Sequence, residues 1–310
     1  VLSQQSFGCE EVGTNTVTLT VTDIHGNVST CTATVTVEDN VAPVALCQDV
    51  TVQLDAAGTG STTAVAVDNG SNDACGIQSI VLSQQSFGCE EVGTNTVTLT
   101  VTDIHDNVST CTATVTVEDN VDPVALCQDV TVQLNAAGAG STTAVAVDNG
   151  SNDACGIQSA VLSQQSFSCA DVGANTVTLT VTDNNENVST CTATVTVEDN
   201  VAPVALCQDV TVQLDAAGTG STTAVAVDNG SNDACGIQSA VLSQQSFGCA
   251  EVGTNTVTLT VTDIHDNVST CTATVTVEDN VDPVALCQDV TVQLDAAGAG
   301  STTAVAVDNG

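Results

Sequence analysis

The chain has 310 residues, with 37 Asp plus Glu, three His and no Lys or Arg, for a formal net charge of -37. That balance excludes nucleic acid and anionic membrane surfaces as partners, because displacing counterions from phosphates takes Lys or Arg; the chemistry it invites is that of a cation. Hydrophobic residues still make up 42% of the chain and recur at strand spacing, so the chain is expected to fold in spite of its charge and scarce aromatics.

The first stretch, "VLSQQSF" at Val1, returns at Val81, Val161 and Val241, a period of 80 residues with near identity between copies. Boundaries fall where a strand pattern ends in turn residues, at "EDNVAP" and its equivalents. They give a C-terminal half module at 1–40, whole modules at 41–120, 121–200 and 201–280, and an N-terminal half at 281–310. The half modules would be completed by another chain or by the rest of a longer polypeptide, and the lack of any methionine marks a processed product or a fragment. No segment is apolar enough to insert in a membrane.

Within 41–120, "DVTVQL" sets Val50, Val52 and Leu54 on one face, "TTAVAV" at 62–67 makes a second strand, and "IQSIVLS" at 77–83 a third. "TNTVTLTVTD" turns Val97, Leu99 and Val101 inward and its threonines outward, and "CTATVTV" does the same with Ala113, Val115 and Val117. Six or seven short strands with Gly, Asn, Asp and Ser between them predict an all-β protein of β-sandwich modules, with no window helical. The core of each is small, with one phenylalanine (Phe87 in the first whole module) and no Trp, Tyr or Met, so covalent or metal staples are expected. The 15 cysteines, without a C-x-x-C pair and with only three histidines, suit disulfides and a location outside the cytosol. Catalysis finds no support: His25, His105 and His265 share one loop and Asn185 replaces them in the third copy, so they are expected to face solvent, and no nucleophile has a base beside it. "NVS" at Asn27, Asn107, Asn187 and Asn267 and "NGS" at Asn69, Asn149 and Asn229 are formal glycosylation sequons.

The run "DNVAPVALCQDVTVQL", the loop "DNGSNDACG", the cysteine-framed pair "VGTNTVTLTVTDIHDNVSTC" and the exit "TVTVED" resemble the hyalin repeat (HYR) module, an immunoglobulin-like extracellular domain. The resemblance covers every module, departing only at Gln48, where family members often carry proline. It implies tandem immunoglobulin-like sandwiches serving extracellular adhesion or matrix architecture. The linker is also locally similar to cadherin junctions, where an acidic run ending in Asn and Pro holds calcium.

Side-by-side parallel first and last strands, as such a sandwich allows, would join Cys47 to Cys111 and leave Cys75 to Cys89, with Cys127, Cys191, Cys155, Cys169, Cys207, Cys271, Cys235 and Cys249 following the same rule. A rival pairing, Cys31 with Cys47, would cross the linker, and under the favoured rule Cys9, Cys31 and Cys287 find partners beyond the chain. The same topology brings the linker beside two acidic loops. Expected metal ligands are Glu38, Asp39, Asn40, Asp68, Asp73, Asp103 and Asp106 at the first joint, and Glu118, Asp119, Asn120, Asp148, Asp153 and Asp183 at the second. Glu198, Asp199, Asn200, Asp228, Asp233, Asp263 and Asp266 form the third set. Carboxylates and Asn carbonyls are oxygen donors for calcium (Ca2+), and no cationic side chain exists to offset their repulsion. The expected function is a secreted or surface-displayed structural protein, a calcium-stiffened stalk, adhesin or filament that self-associates, with Ala64 and Ala66 free for lateral packing. The alternative is a ligand-binding adhesion module that meets a glycan or a surface receptor through its loops. Threonine rows of the ice-binding kind are more simply the exposed faces of strands.

Overall fold

The computed structural model describes residues 1–310. Contacts divide them into two compact units: residues 1–130 with 143–165 and 176–194, and residues 131–142 with 166–175 and 195–310. The chain is all-β, built of repeats of 80 residues that each carry a four-stranded sheet and a two-stranded ladder.

The first unit begins with a hairpin, β1 (Gly13–Thr22) and β2 (Val28–Val37). Residues 41–120 follow as β3 (Val50–Gln53), β4 (Thr59–Ser61), the single helical turn α1 (Ala64–Val67), β5 (Ile77–Leu82), β6 (Ser86–Gly88), β7 (Gly93–Asp103) and β8 (Val108–Glu118). Strands β3, β8, β7 and β5 lie in that order in one sheet, and β4 pairs with β6 in a second ladder. The first and last strands are parallel neighbours, Val50 opposite Val115 and Gln53 opposite Glu118, while β7 pairs antiparallel with β8 over its full length.

The alternation of Val or Leu with Thr makes this arrangement. Side chains two apart share a face, so Val97, Leu99 and Val101 of β7 enter one core with Ala113, Val115 and Val117 of β8, all nearly inaccessible, while the threonines between them stay at the surface. Val52, Leu54, Leu82 and Phe87 close the core from the other elements. In the second unit Val257, Leu259, Val261, Val275, Val277 and Phe247 repeat the cluster, and Val210–Gln213 again runs parallel to the closing strand.

One predicted strand is a helical turn. The Oγ1 of Thr63 accepts from Ala66 N, and Ala64 and Val67 go into the core with Val65 left outside, a spacing of three rather than two. "AVAV" satisfies both periods, and the cap decides between them. Ala64 therefore packs inward instead of toward another chain; the apolar side chains that this turn exposes are Val65, Val145 and Val225, at 73%, 85% and 84%.

Candidate functional site: the joints between repeats

A linker residue, a loop and a disulfide meet at each of the three joints that follow Glu38, Glu118 and Glu198. The predicted bond between Cys47 and Cys111 is present, as are Cys127–Cys191 and Cys207–Cys271, each closing a repeat between its parallel first and last strands. The expected bond between Cys75 and Cys89 is absent. Cys75 joins Cys9, Cys89 joins Cys155 and Cys169 joins Cys235, each over 66 positions and each from one repeat into the next. The cause is geometric: Cys89 opens a 3-10 turn at the end of its sandwich that faces the next repeat, whereas Cys75 lies in the acidic loop at the opposite end. Cys249, the equivalent of Cys89, is a free exposed thiol here, as are Cys31 and Cys287. Gly58 makes room for the staple. Its φ is +71°, and a Cβ there would lie 2.7 Å from Cys89 Sγ and 3.1 Å from Ala154 Cβ.

Polar contacts fasten the linker to the repeat that follows it. Asn107 Nδ2 donates to the Asp39 carbonyl at 3.0 Å, and His105 Nδ1 lies 3.0 Å from Asp39 Oδ2, so His105 is a joint residue and not the solvent-facing one expected. His265 repeats this with Asp199 at 3.0 Å and Asn267 with the Asp199 carbonyl, while Asn187 donates to the Asp119 carbonyl. The sequons at Asn107, Asn187 and Asn267 thus have the glycosylatable Nδ2 already engaged in the joint.

The acidic residues divide into three roles. Carboxylate oxygens of Asp39, Asp73 and Asp103 all lie within 4.8 Å of one another, as do those of Asp199, Asp233 and Asp263. Asp119 and Asp153 approach equally closely at the joint between them. The remaining expected ligands sit elsewhere. Asp68, Asp148 and Asp228 each accept from the serine amide three residues on, closing their own turns. Asp106 and Asp266 are exposed in the left-handed region, at φ 66° and 67°, a turn position that Gly26 fills at φ 87° in the first copy. Glu118 and Asn120 both bond Gln53, and Glu198 and Asn200 both bond Gln133, so they tie the exit strand to the first strand of their own repeat, while Asn40 bonds Glu38.

Asp103 organises its loop. Burial works against its charge, but Asn107 Nδ2 at 2.8 Å and the amides of His105 and Asn107 outweigh it, holding the carboxyl below the ordinary aspartate value; Asp263 is held down in the same way. A carboxylate whose folded pKa is depressed contributes stability that is complete above its unfolded value, about 4, and is lost as pH falls through the folded one. Carboxyl ¹³C titration should therefore place the Asp103 and Asp263 midpoints below those of exposed aspartates, with these loops unchanged between pH 7 and 5. Midpoints at or above the ordinary value would contradict the hydrogen-bond assignment.

No family model matches the chain, and no curated protein does. Among solved structures it is similar to extracellular cadherin domains 1–4 of protocadherin gamma B7, at 14% identity over 86% of this chain and 84% of that one, with a TM-score of 0.30. The protocadherin gamma B4 extracellular domain follows at 15% identity, 90% and 55% coverage and a TM-score of 0.33. Titin domains I67–I69, in an E-to-A variant, are matched at 9% identity, 77% and 97% coverage and a TM-score of 0.30.

Proposed function

We propose that this chain is an extracellular structural repeat protein, a stalk, adhesin or filament whose joints are made stiff by covalent staples and by calcium. The observation that carries the reading is the stagger of the disulfides. Three of the six cross from one repeat into the next, so a joint is spanned by a Cys–Cys bond as well as by the peptide. Bonds of this kind persist in oxidising surroundings, which supports a secreted or surface location. Repetition at 80-residue intervals suits a task of length and stiffness more than one of chemistry.

Calcium fits the donor set. Asp39, Asp73 and Asp103, or Asp199, Asp233 and Asp263, bring together carboxylate oxygens, hard ligands of the kind that this ion takes six to eight at a time, and no Lys or Arg competes for them. When bound, the ion would neutralise the repulsion and tie the linker to both loops. Asp103 is already oriented by its loop amides, and Asp73 by the Cys75 amide at 2.7 Å, so the chain pays part of the ordering cost in advance. Melting in millimolar calcium should occur above melting in chelator, by about 2.7 kcal/mol for a site at a hundred times its dissociation constant. An unmoved midpoint would remove calcium from the proposal and leave the disulfide staples standing. In the filament form, copies associate through the exposed Val65, Val145 and Val225; electron microscopy showing only isolated chains at millimolar calcium would exclude that form.

A further inference from the structure

The joints differ in one respect that bears on metal binding. At the first and third, the linker aspartate has both oxygens served: Asp39 Oδ1 accepts from Val41 N at 3.1 Å and Oδ2 meets His105, while Asp199 is served likewise by Val201 N and His265. At the second, Asp119 Oδ1 accepts from Val121 N at 3.1 Å, but Oδ2 is buried and has no partner at all. Asp119 is only 6% exposed, and the position that carries histidine at the other two joints is Asn185.

A buried carboxylate oxygen without a partner is strongly unfavourable, and native structures rarely leave one. The groups around it do not help. A carboxylate oxygen of Asp153 and Cys155 Sγ lie within 4.8 Å; Asp153 Oδ1 is oriented by the Cys155 amide at 2.7 Å, and the sulfur is bound to Cys89 and carries no charge. Asp183 spends both oxygens within its own loop, on the amides of Asn185 and Asn187 and on Asn187 Nδ2. Two carboxylates thus converge where no cationic side chain of this chain can reach, since it has none and the local histidine is missing.

We infer that the joint formed by Asp119, Asp153 and Asn185 is the chain's tightest divalent-cation site, with oxygen donors suited to calcium, and that the other two joints use histidine where this one uses the ion. The inference rests on the calcium reading above and sharpens it: the histidine-served joints need the ion less. Asn185 stands at the sequence position of His105 and His265, and its side chain carries an amide oxygen, a ligand type calcium accepts and imidazole does not supply. The exchange of one residue would then set which joints answer to calcium concentration.

Calorimetric titration of the full chain with calcium chloride, after chelator treatment at neutral pH, tests this. The expected result is one site at least tenfold tighter than any other, lost in D119N and in N185H, and retained in D39N, which alters a histidine-served joint. Both informative substitutions are close to isosteric or copy another repeat of the same chain, and unchanged circular dichroism and melting in chelator would show that they still fold. Sites of equal affinity, or a tight site that survives both variants, would overturn the inequivalence while keeping calcium at the joints. No binding at any joint would overturn both.

Discussion

Fully drawn out, a whole repeat of the oxidised chain should span only about a fifth of the length that it spans after reduction. Tension entering 41–120 at Cys47 passes directly to Cys111, then along the peptide to Cys127, across to Cys191, on to Cys207 and across to Cys271. Each bridge spans 64 positions and hides them from the force. Only the stretches such as Cys111 to Cys127 remain extensible, 16 residues or about 55 Å when fully drawn out, against roughly 280 Å for a whole repeat after reduction. The joint bonds such as Cys89–Cys155 offer no shorter route, but they add a second strand of covalent structure around each linker. Single-molecule extension with and without a thiol reductant measures this directly. Steps approaching 250 Å from the oxidised chain would mean that Cys47 and Cys111 are not joined.

The sheet was legible in the sequence because strand alternation is a local property. Val97, Leu99 and Val101 announce their face by their neighbours alone, and the pairing of Cys47 with Cys111 follows once the first and last strands are taken as parallel neighbours. The joints were less legible, because they depend on distances between loops of different repeats. Treating each repeat as closed left Cys75 to Cys89 by elimination, whereas the bonds formed reach 66 positions back to Cys9 and forward to Cys155. The signal available was the cysteine in "SFGC" or "SFSC" at Cys9, Cys89 and Cys169, each followed 66 positions later by the one in "DACG". His105 was hidden in the same way: its loop neighbours Asp103 and Asp106 give no hint of the partner it meets, Asp39, which stands 66 positions earlier in the linker. Turn chemistry explains the acidic residues that do not join the clusters. Asp68 and Asp106 satisfy a serine amide and a left-handed backbone, roles that look identical to metal ligation in a string of letters.

Removing the two kinds of disulfide should produce different defects. Both close loops of similar size, 64 and 66 positions, and on the chain-entropy model each restrains the unfolded state by about 4 kcal/mol. Their folded-state consequences diverge. Cys47, Cys111, Cys89 and Cys155 all pack on the core of 41–120, but only Cys47–Cys111 closes that repeat on itself, so a Cys47→Ala/Cys111→Ala variant gives up a large part of what a domain of this size has, and that repeat should melt roughly 15–30 °C lower. In Cys89→Ala/Cys155→Ala the sheet of β3, β8, β7 and β5 keeps its own closing bond, and the loss falls on the joint, where Asn187 on the Asp119 carbonyl is left to fasten the linker to the following repeat without a covalent staple. Trypsin cannot report on this chain, which has no Lys or Arg, but a glutamate-specific protease can cut after Glu118, which sits where β8 runs into that linker. Cleavage there should accelerate in the Cys89→Ala/Cys155→Ala variant under conditions in which its repeats remain folded by circular dichroism. In the Cys47→Ala/Cys111→Ala variant, cleavage should instead follow the unfolding of 41–120. If both variants lost the same melting temperature and were cut at the same rate, the staples would be redundant with the fold, and stiffness at the joints would have to come from the linker contacts alone.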